Sequence, residues 1–334
     1  MVTRLFLFNS FNNMKKTISL MAAALFFTMQ ATAQTQFATL VHNDTLSSFT
    51  GVDALSEAMA AAADGDVITL SSGTFNGCTI SKAITLRGAG MEADEQGRQT
   101  RISGQISVNL TSKDLSLEGL FISNAISFAT DNANVFLNKC TINKVNPESI
   151  SSYTKIRNFI VTNCKISNVE KSIGSVDLKA YNSYIAKVNQ RGYYCFYNCI
   201  IDDGYSSASA NYYPGIYYNC ILSGNHSFSG TADHCVTTFA VDADHGSNNY
   251  VVEDVTTLFS NYDAEATWYT RDLTLTDEAK TKYIGSDGTE VGIYGGSLPF
   301  SPWLDRPFIK RLTVAPKSTR DGKLSVDIEV GDAE

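Results

Sequence analysis

The sequence predicts an all-β chain wound as a parallel solenoid. Three observations predict it: a short phrase recurs about every 20 residues, each copy carries strand-forming residues, and no helical period joins them. The phrase is Asn138-Lys139-Cys140-Thr141-Ile142, Asn163-Cys164-Lys165-Ile166, Asn198-Cys199-Ile200-Ile201 and Asn219-Cys220-Ile221-Leu222. Degenerate copies stand at Gly119-Leu120-Phe121-Ile122, Asn182-Ser183-Tyr184-Ile185 and Asp233-His234-Cys235-Val236. Aligned on positions 120, 140, 164, 183, 199, 220 and 235, successive copies are 20, 24, 19, 16, 21 and 15 residues apart.

In such a stack each coil pairs in parallel with its neighbours, so like positions lie ~4.8 Å apart. Asn before the Cys suits a tight corner, because it is the non-glycine residue most tolerant of the left-handed region. Its amides are expected to hydrogen-bond along the ladder. The Cys and the aliphatic residue two places later are expected to face inward.

The seven cysteines therefore read as packing. They contain no C-x-x-C pair and no His at a matching interval, which disfavours zinc. They are expected as buried thiols, with a disulfide between stacked Cys199 and Cys220 as the competing arrangement.

From the N-terminus, Met14-Lys15-Lys16, the apolar run Ile18 to Met29 and Ala31-Thr32-Ala33 before Gln34 read as a secretory signal over residues 1–33, with translation expected to start at Met14. The mature chain is expected to be exported, to the periplasm, outer surface or medium of a bacterium, with no membrane span. Losing Arg4, Lys15 and Lys16 and no acidic residue moves the net charge from -8 to -11, which argues against nucleic acid as a partner. Residues 34–64 hold an opening strand, Phe37 to Val41, and a helix whose buried face is Val52, Leu55, Ala58, Met59 and Ala62. That helix is expected to cap the first coil, since an open solenoid end exposes apolar interior and unpaired strand edges.

Residues 65–296 are expected to form the solenoid, and 297–334 a short β extension in which Phe308 to Val314 pairs with Leu324 to Val330. The helix, Asp66-Val67-Ile68-Thr69-Leu70, the Gly73-Thr74-Phe75 turn and Lys82-Ala83-Ile84-Thr85-Leu86-Arg87-Gly88 follow each other in an order that resembles the pectin-lyase-like superfamily of right-handed β-helices. A second resemblance, at Asp272 to Leu275 and Gly285 to Gly296, is to the closing coil of exported bacterial β-helix proteins. Together these cover roughly residues 51 to 296 and imply a single-stranded right-handed parallel β-helix, with architecture far better specified than activity.

Two surfaces are candidates for function. Ten of the sixteen tyrosines fall between Tyr181 and Tyr218, and Tyr193, Tyr194, Tyr212, Tyr213, Tyr217 and Tyr218 are the expected ligand contacts. Neighbours on a strand point to opposite sides, so half of each adjacent pair is outward, and a ribbon of tyrosines suits sugar rings or a protein surface. The alternative is a polysaccharide lyase or glycoside hydrolase for an acidic polysaccharide, with Asp202, Asp203 and His245 as catalytic candidates, since glycosidases need paired carboxylates. The motifs that mark polygalacturonases, pectate lyases and pectin methylesterases are missing. The favoured reading is a noncatalytic protein that binds polysaccharide or cell-surface glycan; no cofactor is expected, with calcium left open, and the oligomeric state is not read from the sequence.

Overall fold

The computed structural model describes residues 36–94, 97–131, 134–147, 156–170, 176–188, 192–203, 205–206, 211–213, 215–224, 227–228, 230–304, 308–314 and 326–331. The expected signal over residues 1–33 lies outside them.

The chain is a parallel β-solenoid with two 12-stranded sheets. The first sheet runs, coil by coil, from Val67–Leu70 through Leu115–Glu118, Ile156–Thr162 and Gly192–Tyr197 to Gly246–Ser247. The second runs from Gly73–Asn76 through Phe121–Phe128, Lys165–Val169 and Ile200–Asp203 to Tyr250–Val251. Gly73-Thr74-Phe75, read from sequence as a turn, is thus a strand. Phe121–Phe128 shifts register between Ile122 and Ala125, and its far half pairs with Ile106–Val108 to give the coil a third side.

Period-2 alternation builds the core. In the first sheet Ile68, Leu86, Leu117, Leu137, Val161, Ala180, Phe196, Tyr217 and Ala232 stack in register, and all are buried. The largest pair, Phe196 and Tyr217, stacks at 5.1 Å between small neighbours Ala180 and Ala232, so side-chain volume balances along the axis. An inward ladder of Ile102, Ile122, Ile142, Ile166, Ile185, Ile201 and Leu222 lines the second sheet.

The corner between the sheets is left-handed at the same place in eight successive coils: Gly119, Lys139, Asn163, Asn182, Asn198, Asn219, His234 and Asn248 have φ between 44° and 66°. In the first full copy of the phrase, Lys139 rather than Asn138 takes this conformation. Immediately after it comes the cysteine ladder. Side chains at this position do more than fill space, because in three of the coils one accepts a hydrogen bond from a corner N–H of the neighbouring coil. The Cys140 N–H donates to Cys164 Sγ at 3.3 Å, the Cys164 N–H to Ser183 Oγ at 3.1 Å, and the Cys235 N–H to Asn249 Oδ1 at 2.9 Å. A small acceptor is what the corner N–H requires. All seven cysteines are free, so no Cys199–Cys220 disulfide exists.

The N-terminal end is closed by the helix α1, Ala54–Ala61, which buries Ala54, Leu55, Ala58 and Met59. Val52 lies before the helix begins and is 46% exposed, contrary to its expected place on the buried face. The expected opening strand is Phe37–His42, which pairs antiparallel with Val67–Leu70 of the first coil; it turns at Asn43-Asp44 into Thr45–Thr50, which pairs antiparallel with it and forms the edge of the first sheet.

At the other end the ladders stop at Ser247 and Val251, not near 296. Residues 252–304 do not add a closing coil. They fold back over the outer face of the second sheet, where Tyr184, Ile200, Ile221 and Val236 alternate outward and need cover. Leu258, Phe259, Leu273, Leu275, Val291 and Ile293 supply it. The short helix α2, Asp277–Lys282, is capped by Thr276 Oγ1, which accepts from the Ala279 N–H at 3.1 Å. Three of the corner asparagines, Asn163, Asn182 and Asn219, bind this cover rather than one another. Asn182 Nδ2 donates to the carbonyls of Ile293 and Gly295 at 2.9 and 2.7 Å, and Asn163 Oδ1 and Asn219 Oδ1 accept from the Ser301 and Ser286 N–H groups at 3.1 and 2.8 Å. Phe308–Val314 and Val326–Gly331 pair antiparallel as a separate two-stranded sheet, close to the expected hairpin.

Two predictions follow from the corner. Asn219→Gly keeps the left-handed backbone but loses the bonds to Ser286 and Asp287, so unfolding free energy should drop by about 1–2 kcal/mol; Asn219→Ala should lose about 1–2 kcal/mol more. Denaturant unfolding reads both, and equal values for the two variants would remove the conformational role. Cys164→Ser, which copies Ser183, should change stability by less than about 1 kcal/mol, whereas Cys164→Val should cost more because the Cys140 N–H loses its acceptor.

Candidate functional site

Two regions hold the residues singled out in the sequence. The first is the outer face of the first sheet. Here Tyr181, Tyr197 and Tyr218 stack in register, with ring centroids 5.1 and 5.4 Å apart and planes within 8° and 14° of parallel. All three are half-buried. The rings lie face to face, so it is their edges that border the surface. Beside them a second outward ladder carries Ile160, Lys179, Cys195 and Ile216.

Strand alternation sends the other tyrosines elsewhere. Tyr194 and Tyr217 are 2% and 1% exposed and belong to the core, so neither is a ligand contact; burial raises the Tyr194 phenol above its ordinary range. Tyr218, one residue on, is the outward member of its pair. Tyr193 pairs with Asp177 in the first sheet, while Tyr212 and Tyr213 lie in a small three-stranded sheet, opposite Ser227 and Phe228. The side chains of Tyr193, Tyr212 and Tyr213 lie outside the described residues.

The second region surrounds Asp202, which lies in the strand Ile200–Asp203 and faces the covering segment instead of a solvated turn. Its carboxylate accepts from the Tyr184 hydroxyl and pairs with Arg271 Nη1 at 3.3 Å. Arg271 also sits 5.5 Å from the Tyr262 ring centroid, and the buried Tyr184 ring stacks on Trp268 at 6.4 Å. Burial, then the Asp202 charge, pushes the Tyr184 phenol well above its ordinary range. Outward positions in successive coils shrink here from Asp202 to Ser223 and Thr238, and the space they leave under the cover is a cleft of about 560 Å3. Glu253, Asp254, Phe259 and Tyr262 form its other wall.

His245 is not in this cleft. It ends a short 3-10 turn, Ala243–His245, beside the last strand of the first sheet, and its Nδ1 bonds the Gly230 carbonyl at 2.8 Å. Asp203 pairs with Lys187 in the second sheet, and its side chain lies outside the described residues. Of the residues expected to act in catalysis, Asp202 thus lines the cleft and His245 stands apart from it. Arg271, Glu253 and Tyr262 were missed in the sequence because they reach Asp202 only through the fold-back of residues 252–304, which no local pattern signals. Among the described residues no group of three or more His, Cys, Asp or Glu is arranged to hold a metal ion.

Tyr217→Ala should destabilise the fold by about 3–5 kcal/mol, as for other buried aromatics, where Tyr218→Ala should cost far less; thermal unfolding separates them. The buried phenols set a pH dependence too. Above pH ~10 the unfolded chain releases tyrosine protons that Tyr184 and Tyr194 retain in the fold, so stability is complete below that pH and falls as pH rises above it. Tyr184→Phe should flatten that fall in unfolding measurements between pH 9 and 11. Compared with models of known protein families, with curated proteins and with solved structures, the chain matches none.

Proposed function

We propose that this is an exported, noncatalytic protein that binds an extended glycan along the outer face of its first sheet. One observation carries the reading. Of the ten exposed large apolar side chains among the described residues, five (Phe37, Val41, Leu46, Phe136 and Ile216) lie on that face, which also bears the tyrosine ladder. The corresponding face of the second sheet spends its apolar residues on the cover. An apolar face left open on one side and covered on the other marks an interaction surface.

The repeat itself favours a polymer. Tyrosine recurs at one position in three successive coils, so a chain of similar sugar units laid along the axis there meets tyrosine hydroxyls and ring edges at a constant interval. Tyrosine offers an apolar body with a polar tip, which suits a sugar's mixed surface. The face is not strongly cationic: Arg87 is paired with Glu118 at 3.4 Å, and the chain's net charge is -8. A neutral glycan fits better than a polyanion.

The test is isothermal titration of the mature protein with a panel of neutral and acidic polysaccharides, alongside chromatography for released products. Tyr181→Ala with Tyr218→Ala should weaken binding of a neutral glycan about tenfold while the protein stays folded with a modestly lowered melting temperature, since each aromatic contact is worth ~0.5–1.5 kcal/mol. Unchanged affinity in that double variant, or release of unsaturated or reducing oligosaccharides, would overturn the proposal.

A further inference from the structure

The N-terminal edge of the first sheet is open. Its outermost strand, Thr45–Thr50, pairs with Phe37–His42 on one side and with no other described strand. The hairpin closes on Asn43 and Asp44 alone, so His42 and Thr45 exchange hydrogen bonds, and bonded pairs recur at Leu40 with Ser47 and at Ala38 with Phe49. The Gly51 N–H, which donates to the Gln36 carbonyl at 2.7 Å, continues the series. Leu46, Ser48 and Thr50 therefore turn their N–H and C=O groups away from the hairpin, and among the described residues these groups have no partner.

Proteins ordinarily blunt such an edge with a short strand, a bulge, a proline or a charge. The far ends of both sheets are blunted by length, in the two-residue strands Gly246–Ser247 and Tyr250–Val251. Thr45–Thr50 has none of these devices: its six residues pair without a register shift, and none is charged or proline. A charged edge would be worst for pairing with a second copy of a chain whose net charge is -8, and this edge is neutral. The strand also complements itself about a two-fold axis at Ser48. In that register Ser48 lies opposite Ser48 of the second copy and Leu46 opposite its Thr50, so the free groups meet one another, two bonds at each of three pairs. The axis is perpendicular to the sheet, which keeps both outer faces on one side. Leu46, 64% exposed, stands beside Val41, and Thr50 stands beside Phe37. Pairing sets Val41 and Leu46 of one copy next to Thr50 and Phe37 of the other, giving these exposed apolar side chains neighbours.

We infer that two copies of the protein join along Thr45–Thr50 as an antiparallel, two-fold symmetric pair, which makes their first sheets one continuous sheet with a common outer face. A single strand pair is smaller than a standard interface of ~1,600 Å2, so the dimer is reversible, with a dissociation constant on the order of 10–100 µM. The dimer does not depend on glycan binding. Variants of Tyr181 and Tyr218, which lie coils away from this edge, should leave it untouched, so the two readings can fail separately.

Sedimentation equilibrium of the full mature protein from about 1 to 200 µM reads the dimer directly. Ser48→Lys sets like charges opposite each other at the axis and should weaken the dimer about tenfold or more, while the protein stays folded because Ser48 is exposed. Ser48→Cys should give a disulfide-linked dimer on mild oxidation, since bonded pairs bring Cα atoms to ~5.5 Å, within disulfide reach. Ser47→Cys, which falls opposite Phe49 in this register, should link far more slowly. A monomer at every concentration, an unweakened dimer in Ser48→Lys, or cross-linking of Ser48→Cys no faster than of Ser47→Cys would each overturn the inference.

Discussion

Everything in this chain hangs on a backbone conformation repeated at one place. At eight consecutive coils the residue before the ladder position turns through the left-handed region, and that turn swings the chain from the first sheet into the second. Most residues resist this conformation by ~1–2 kcal/mol, which is why asparagine fills five of the eight positions and glycine a sixth. Lys139 and His234 are the exceptions, held there by the coils on either side. The corner also leaves a backbone N–H facing the next coil, and the thiol, hydroxyl or amide that follows the turn accepts it. Conformation and hydrogen bonding thus select the two-residue phrase together.

The same asparagines have a second use. With the backbone bent, their amides project onto the seam where the covering segment passes, and Asn163, Asn182 and Asn219 hold it by its peptide groups. Two lysines help. Lys139 reaches the Trp303 carbonyl, and Lys165, almost wholly buried, bonds the Tyr269 carbonyl at 2.7 Å while paired with Glu92 at 2.7 Å. These polar attachments are directional, whereas Tyr184, Ile200, Ile221 and Val236 beneath supply the apolar area. The cover is placed by the first set and held by the second.

The solenoid, its capping helix, its inward ladders and its final hairpin were legible in the sequence because each is encoded by neighbours in the chain or by exact recurrence. The face on which a given tyrosine lies was legible only as alternation: one of Tyr217 and Tyr218 had to be inside, but which one depends on register, and register is set by pairing with Phe196 and Tyr197. The cover was not legible at all. Asp272 to Gly296 reads locally like another coil, and only the long-range complement of outward apolar residues at 184, 200, 221 and 236 explains why it folds back. The Asp202 cleft exists only because of that fold-back, so its membership could not be assembled from motifs.

A stack of coils ordinarily behaves as a one-dimensional chain of units, each stabilised by its immediate neighbours and able to fray from either end. Here a single strap of residues 252–304 is fastened to Lys139, Asn163, Asn182 and Asn219, which belong to separate coils. No one of these coils can open without either breaking its own attachment or lifting the strap from the rest. The fold-back therefore converts a modular array into one cooperative block, and the coils before Lys139, which carry none of these four fastenings, meet the strap through apolar contacts such as Phe121 against Tyr269.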